Sequence, residues 1–316
     1  MATLTTVIPA YNAERFIGQT LESVAAQTRP PDRLVILDNC STDSTPEIIR
    51  SFQARHPKLP CEYRRNEANI GGVANFNRAF DFAAETDLLH VLSADDLIKP
   101  CFFETLLPTL QGVEGRGLAH CALEFIDEGG KPVMPFPSPA GASPRRLTVE
   151  QFLRRQSELR HVYCQSVIMR TARQPMPFHF GPEWRMASDV VFFSEWATLC
   201  ERIVVVPEPL CQYRVHAASA TGGAMLQLDA WVLEEWRAMR KVADLMRARG
   251  LSRWLHHQRQ KCIFAARSKV KMRQMQAQHP GYAAEIGRAA REITGPLHWI
   301  LGMMAVAARD LARGRH

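Results

Sequence analysis

Two adjacent carboxylates, Asp95 and Asp96, follow a short apolar run at Leu88 to Leu92. Adjacent acids repel each other at the mouth of a crevice unless a cation or hydrogen-bond donors neutralise them. Oxygen ligation suits Mg²⁺ or Mn²⁺, which retains waters and can bridge a diphosphate. The competing reading is helix capping, with one acid at the N-terminus of a helix over Leu97 to Leu110. Similar polar clusters follow two other apolar runs. Val7-Ile8 leads to Pro9-Ala10-Tyr11-Asn12, and Val35-Ile36-Leu37 leads to Asp38-Asn39-Cys40-Ser41-Thr42-Asp43. Asn69-Ile70-Gly71-Gly72 and Asn77 add to the set. Singly, Ser41, Thr42 or Asp43 would cap a helix, and Asn69 to Gly72 would make a turn. Their shared position after successive strands is something capping does not require.

The elements that hold them follow from periodicity. Strands are expected at Leu4 to Ile8, Leu34 to Leu37 and Leu88 to Leu92, with a weaker one at Cys61 to Arg64; helices are expected near 13–27, 45–55, 73–85 and 99–110. Strand–helix alternation implies an α/β domain with a mostly parallel sheet and a ligand crevice at the carboxyl ends of its strands. Gly and Pro crowd residues 112–144, which reads as loops, a candidate flap, around one strand at Leu118 to Phe125. A helix at 187–199 and a strand at 203–206 follow. Gly222-Gly223 marks a boundary, so the expected organisation is an α/β domain over 1–222 and a helical C-terminal region over 223–316, with helices over about 228–246 and at Ser252 to Met275.

The ordered motifs resemble family 2 glycosyltransferases of the GT-A fold. The residues that carry the resemblance are Thr6 to Asn12, Leu37 to Thr45, Asn69-Ile70-Gly71 with Asn77, and Ala94-Asp95-Asp96 with Pro100. Ala187 to Phe193 and Pro207-Glu208-Pro209-Leu210 with Tyr213-Arg214-Val215-His216 and Ser219 extend it, so that it covers residues 3 to about 221. The resemblance implies an inverting enzyme with a nucleotide-sugar donor and Mg²⁺ or Mn²⁺. By the same resemblance Pro9, Tyr11 and Asp38 border the nucleobase, and Asn69, Gly71 and Asn77 shape the donor pocket. Asp95 and Asp96 meet the ribose and the metal, and His216 reaches the metal or diphosphate. Asp189 matches the base that activates the acceptor hydroxyl; from the residues alone, capping of the helix that follows is the favoured reading. Glu183 and Trp184 are candidate acceptor-site residues, and Arg78 a candidate phosphate contact. The chain departs from the family pattern at Asn39 and Ser93, where acids are common, and at Ser188 and Ala79.

Composition bounds the rest. The 316 residues carry 39 Lys plus Arg against 32 Asp plus Glu, a formal charge of +7. Residues 225–316 hold 17 basic and 7 acidic side chains, so they carry +10 and the remainder −3. The basic excess belongs to the C-terminal third, and no nucleic-acid motif accompanies it. The apolar stretch Leu297 to Ala308 is shorter than the roughly 20 residues needed to span a bilayer; it would suit either the membrane interface, beside Arg309, Arg313, Arg315 and His316, or packing on the preceding helices. Eight cysteines without metal-ligand spacing and an N-terminus without a basic leader predict a cytoplasmic protein, at the inner face of the membrane if the tail anchors it. The expected partners are a nucleotide-sugar donor and a glycan or lipid-linked acceptor, as in polysaccharide biosynthesis. The alternative is a catalytically inactive nucleotide-binding or scaffold protein on the same fold, motivated by Asn39 and Ser93. A dinucleotide oxidoreductase is disfavoured because no GxGxxG follows the first strand.

Overall fold

The computed structural model describes residues 2–133, 143–160, 162–216 and 224–313, with side chains through residue 308. Part of the expected flap, Ser219 and the Gly222-Gly223 boundary lie outside the described residues. The chain forms two compact units. One comprises residues 1–152, 162–182 and 192–217; the other takes 153–161 and 183–191 together with 218–316. The second unit therefore draws two segments from within the region expected to be one domain.

In the first unit, β1 (Leu4–Ala10), β2 (Arg33–Asp38), β3 (Cys61–Arg65) and β4 (Leu88–Val91) form a parallel array in the order β3-β2-β1-β4. α1 (Ile17–Ala25), α2 (Thr45–Arg55) and α3 (Gly72–Phe80) are the intervening helices. β1 is buried along its whole length, as an inner parallel strand must be. Its side chains alternate: Leu4 and Ile8 join the cluster containing Ile17, Leu21, Ile49 and Phe52, whereas Val7 joins Phe80, Phe192 and Trp196 on the opposite face.

Beyond β4 the sheet becomes mixed. β8 (Val167–Arg170) pairs antiparallel with β4 and with β6 (Gly117–Ile126), and β6 pairs parallel with the long β9 (Arg202–Arg214). The first half of the sheet is as parallel as the alternation predicts; the second half needs partners far apart in sequence. β7 (Arg145–Leu147) and the two-residue β5 (Leu97–Ile98) both pair antiparallel with β9.

β5 changes the reading of the acidic pair. Leu97 and Ile98 are sheet residues paired with Gln212 and Cys211, and the next helix, α4, spans Phe102–Leu106. The capping alternative for Asp95 and Asp96 is thereby overturned, because no helix begins behind them. β9 reaches this position through register shifts around Ala122, which faces Pro209. Proline donates no backbone hydrogen bond, and the resulting irregularity re-aims the strand end.

In the second unit, α7 (Glu234–Leu245), α8 (Gly250–Met275) and the α9 segment (Pro280–Arg313) enclose Trp231, Met239, Phe264, Ile286 and Trp299. A π-helical turn at Asp229–Leu233 leads into α7. α9 is two helices in sequence, broken at Gly295, whose φ of 76° is followed by Pro296. Gly302 lets its second half approach α8 closely: a Cβ there would come within 2.6 Å of the Ala265 Cβ.

The start of β1 depends on one ionised group. Asp87 accepts hydrogen bonds from Thr3 N at 2.8 Å, Thr3 Oγ1 at 3.0 Å and Arg173 Nε at 3.0 Å. The Arg173 hydrogen bond, aided by the Thr3 donors and opposed by burial, holds the Asp87 carboxyl at about 2. A carboxyl depressed below its unfolded value of roughly 3.9 stabilises the fold above that pH and loses the contribution as pH falls through the folded value. Denaturant titrations from pH 5 to pH 2 are expected to show Asp87→Asn less stable than wild type at pH 5, with the gap closing toward pH 2.

Candidate active site

The loops after β1 and β2 are stitched together by polar residues, among them Ser41, Thr42 and Asp43, which singly read as helix caps. Asn12 N donates to Ser41 Oγ at 2.9 Å, and Thr42 N donates to Asn12 Oδ1 at 2.9 Å. Ala13 N donates to Thr45 Oγ1 and Glu14 N to Asp43 Oδ2. Asn12 and Cys40 both take positive φ, 46° and 63°, a conformation uncommon for side-chain-bearing residues and characteristic of tightly constrained loops. Pro9 lies beyond the last β1–β4 pair, Val7 with Val91, so its missing N–H falls where the two strands part. Tyr11 follows in the loop, 47% exposed.

Asp38 is fully buried at the end of β2. It accepts from Tyr63 OH at 2.6 Å, Arg65 Nη1 at 3.1 Å and Ser41 N at 2.9 Å. Both its oxygens thus hold protein donors, and Arg65, which also reaches Ser41 O, forms the solvent side of this cluster.

A network of asparagines connects β2 to α3. Asn39, 1% exposed, donates to Asn69 Oδ1 and accepts from Asn66 Nδ2 and Ile70 N. Asn66 also donates to Asn75, whose own amide donates to Leu37 O. An acid at position 39 would lack the donor that Asn69 receives, so this departure from the family pattern has a structural cause. Asn69 in turn accepts from Gly71 N at 2.8 Å. Gly71, with φ 87° and ψ 153°, occupies backbone space essentially reserved for glycine, and a Cβ there would meet no atom within 4 Å. Both ends of the Asn77 amide bind the backbone of Phe180, at 2.8 and 3.0 Å, so Asn77 secures that loop. The Arg78 guanidinium bonds to Asn66 Oδ1.

The acidic pair divides in two. Asp95 is partly exposed, and its Oδ2 lies 2.9 Å from His216 Nε2. The His216 ring is backed by Phe16 at 4.8 Å between centroids. Asp96 is 2% exposed, and its Oδ1 accepts from Arg214 N at 2.8 Å. Burial, followed by the charge of Asp95, pushes the Asp96 carboxyl well above the usual range, with Arg214 and Ser93 acting in the opposite sense.

Arg214 locks this arrangement. It is 1% exposed, and its guanidinium donates to Asp95 O at 2.8 Å, Asp127 O at 3.2 Å, Glu128 O at 2.8 Å and Gln19 Oε1 at 2.8 Å, while lying over the Phe16 ring. The flat, five-donor fork suits a site where several carbonyls converge. Sequence reading placed Arg214 only beside His216; its fully buried role had no signal beyond that proximity.

Asp95 and His216 supply one oxygen and one nitrogen, a set compatible with Mg²⁺ or Mn²⁺ completed by donor oxygens and water. Among the described residues no cluster of three His, Cys, Asp or Glu is poised to hold a metal by itself. Asp189 belongs to the second unit and sits in the first turn of α6 (Ser188–Ala197). The backbone N–H groups of Arg185, Met186 and Ala187, just before it, all donate to Glu234, a residue that sequence reading did not single out.

A parallel β3-β2-β1-β4 array joined to a mixed half-sheet, with an acid–histidine pair beyond the carboxyl ends of its strands, is a glycosyltransferase architecture of the GT-A type. The family model for glycosyl transferase family 2 matches residues 5–173, and the chain belongs to that family. It is 24% identical over 272 residues to the succinoglycan biosynthesis protein ExoO of Rhizobium meliloti, covering 84% of this chain and 75% of ExoO. The first-matching curated relatives are spanned over 39% to 75% of their lengths. Among solved structures, Staphylococcus aureus TarS 1–349 in complex with UDP-GlcNAc superposes with a TM-score of 0.57 at 18% identity, covering 92% of each chain. The mannosyltransferase PcManGT of Pyrobaculum calidifontis, in complex with GDP-Man and Mn²⁺, gives 0.53 at 16% identity, covering 97% of this chain and 87% of that one. These two likenesses show the shared fold.

Arg214→Lys keeps the charge but loses the fork. It is expected to lower stability by about 3 kcal/mol, as read by denaturant titration.

Proposed function

We propose that the protein transfers a sugar, with inversion, from a nucleoside-diphosphate donor to a glycan or lipid-linked acceptor. The single observation that carries this reading is the Asp95–His216 pair, set by Arg214 at the carboxyl end of the sheet in a chain of this family. A divalent cation, Mg²⁺ or Mn²⁺, held by Asp95 and His216 would offset the charge developing on the departing diphosphate. Asp96 helps through its contact with the Arg214 backbone, which fixes the loop carrying Asp95. Pro9, Tyr11 and the Asp38–Arg65 cluster border the nucleobase, and the Asn69–Gly71 turn admits the donor to close backbone approach. Asp189 removes the proton from the acceptor hydroxyl as it attacks the anomeric carbon.

The inactive-scaffold alternative loses one of its motives, because Asn39 serves the amide network in its own right. With Mg²⁺ or Mn²⁺ present, purified protein is expected to release nucleoside diphosphate from its donor when acceptor is supplied. Asp189→Asn should retain donor binding and lose roughly a hundredfold or more in transfer. His216→Ala should weaken metal-dependent donor binding instead. Full transfer by Asp189→Asn overturns the base assignment, and the absence of any metal-dependent diphosphate binding favours the scaffold.

The C-terminal unit carries a second part of this reading, contact with an anionic membrane. No helix among the described residues is long and apolar enough to cross a bilayer. Leu297, Ile300, Leu301 and Met304 are nevertheless exposed at helical spacing on α9, opposite the buried Trp299, Gly302 and Val306. Leu251, Trp254 and Leu255 are exposed on α8 among the exposed Arg247, Arg249, Arg253 and Arg259. Exposed apolar residues on both helices, with a tryptophan and arginines on and just before α8, suit the interface of an anionic lipid surface rather than a neutral one. Full-length protein is expected to co-sediment with phosphatidylglycerol-containing vesicles and much less with phosphatidylcholine alone. Trp254→Glu combined with Ile300→Glu should abolish that binding. Vesicle-independent self-association lost in the same variant would identify a second copy as the occupant and overturn the lipid assignment.

A further inference from the structure

Asp189 sits in the first turn of α6, next to Ser188. Ser188 donates its hydroxyl to Trp184 O at 2.8 Å, which turns it back along its own chain. The fixing group comes from 45 positions downstream of Asp189. Glu234, at the first residue of α7 and 1% exposed, accepts from Arg185 N at 3.0 Å, Met186 N at 2.6 Å and Ala187 N at 2.7 Å. Three backbone donors on one buried carboxylate make a strong, charge-assisted set. Apolar packing supports it: Ala187 and Val191 lie against Ala238, one turn further along α7, with Trp184 alongside. All these residues belong to the second unit.

We propose that Glu234 is the positioning residue for Asp189, holding from α7 the backbone at which the base-bearing helix begins. The proposal rests on the assignment of Asp189 as base. It gives the C-terminal region a part in transfer that is separate from any surface contact.

Two consequences follow from elementary electrostatics. A helix N-terminus presents unpaired N–H groups and a partial positive charge of roughly half an elementary charge. Left open, these would stabilise the anionic form of a first-turn aspartate and weaken it as a base. Glu234 binds the amides of residues 185–187, just ahead of that turn, and its negative charge there acts against the helix-end field while the backbone is held in place. Other charged groups on this part of the unit include Glu183, Arg185, which reaches Gln227, the Asp229–Arg237 pair at 2.7 Å, and the Glu235 pairs with Arg267 and Lys271. Of these, Arg237 interacts electrostatically with Glu234. The 185–187 amides are held by the Glu234 carboxylate.

Glu234→Gln preserves shape but removes the charge and points an amide N–H₂ at one of the backbone donors. Measured as donor turnover by the full chain, kcat is expected to fall roughly ten- to hundredfold, with the KM for the donor essentially unchanged. The acidic limb of the kcat/KM profile is expected to move to lower pH by about half a unit or more. Glu234→Asp, which keeps the charge, should recover part of the loss. Unchanged kcat and pH profile in Glu234→Gln would overturn the proposal. So would a loss of calorimetric donor binding in parallel with kcat in both variants, which would make Glu234 a general structural residue. Asp189→Asn separates the two levels. If it transfers normally, the base assignment fails and the positioning role falls with it; if it is inactive while Glu234→Gln is normal, only the positioning role fails.

Discussion

The buried guanidinium of Arg214 is the interaction on which the rest of the site depends. Four backbone or side-chain oxygens from three separate segments converge on it, and its own backbone N–H engages Asp96. An unpaired charge at 1% exposure would be very costly, so the carbonyls of Asp95, Asp127 and Glu128 and the Gln19 amide are compelled into one geometry. Arg214 bonds to Asp95 O and stands two residues before His216, and in that geometry the Asp95 carboxylate lies 2.9 Å from the His216 ring.

The topology makes this convergence achievable. A parallel array alone would deliver loops after β1, β2 and β4 to one edge, but nothing to close over the acidic pair. The two-residue β5 provides the closure by pairing with the far end of β9, after the Pro209 irregularity has turned that strand. In the loops themselves, positive-φ residues and reciprocal side-chain-to-backbone bonds replace regular structure. Polar residues in this region serve as internal scaffolding more often than as outward-facing ligands: Asn39, Asn66, Asn75 and Asn77 all engage protein partners.

Much of this was legible in the sequence where the signal is local. The apolar runs of β1, β2 and β4 located the inner strands within one or two residues, and the polar residues after them marked the edge that matters. The helix expected near 99–110 is a shorter α4 after β5, because Leu97-Ile98 is too short to carry any periodicity and exists only through pairing with residues 211–212. The strands of the mixed half were legible at Leu118 to Phe125, 166–170 and 203–206, but their order was not: β8, β6 and β9 owe it to contacts between distant segments. Nor could Glu234 be found by spacing, since nothing in the local sequence links it to residues 185–187. The division of the chain differed from the single boundary expected near residue 222 because two interior segments pack with the C-terminal helices.

The register of β9 also governs when the protein can become competent during synthesis. β1 to β4 are complete by residue 91, and their parallel pairing draws only on chain already made. Asp95 finds His216 across 121 positions, and β5 has no partner until Gln212 exists. Contacts so distant along the chain form late and carry a high loop-closure cost. A nascent chain therefore holds a nearly finished parallel half-sheet whose acidic pair stays open until the last strand arrives.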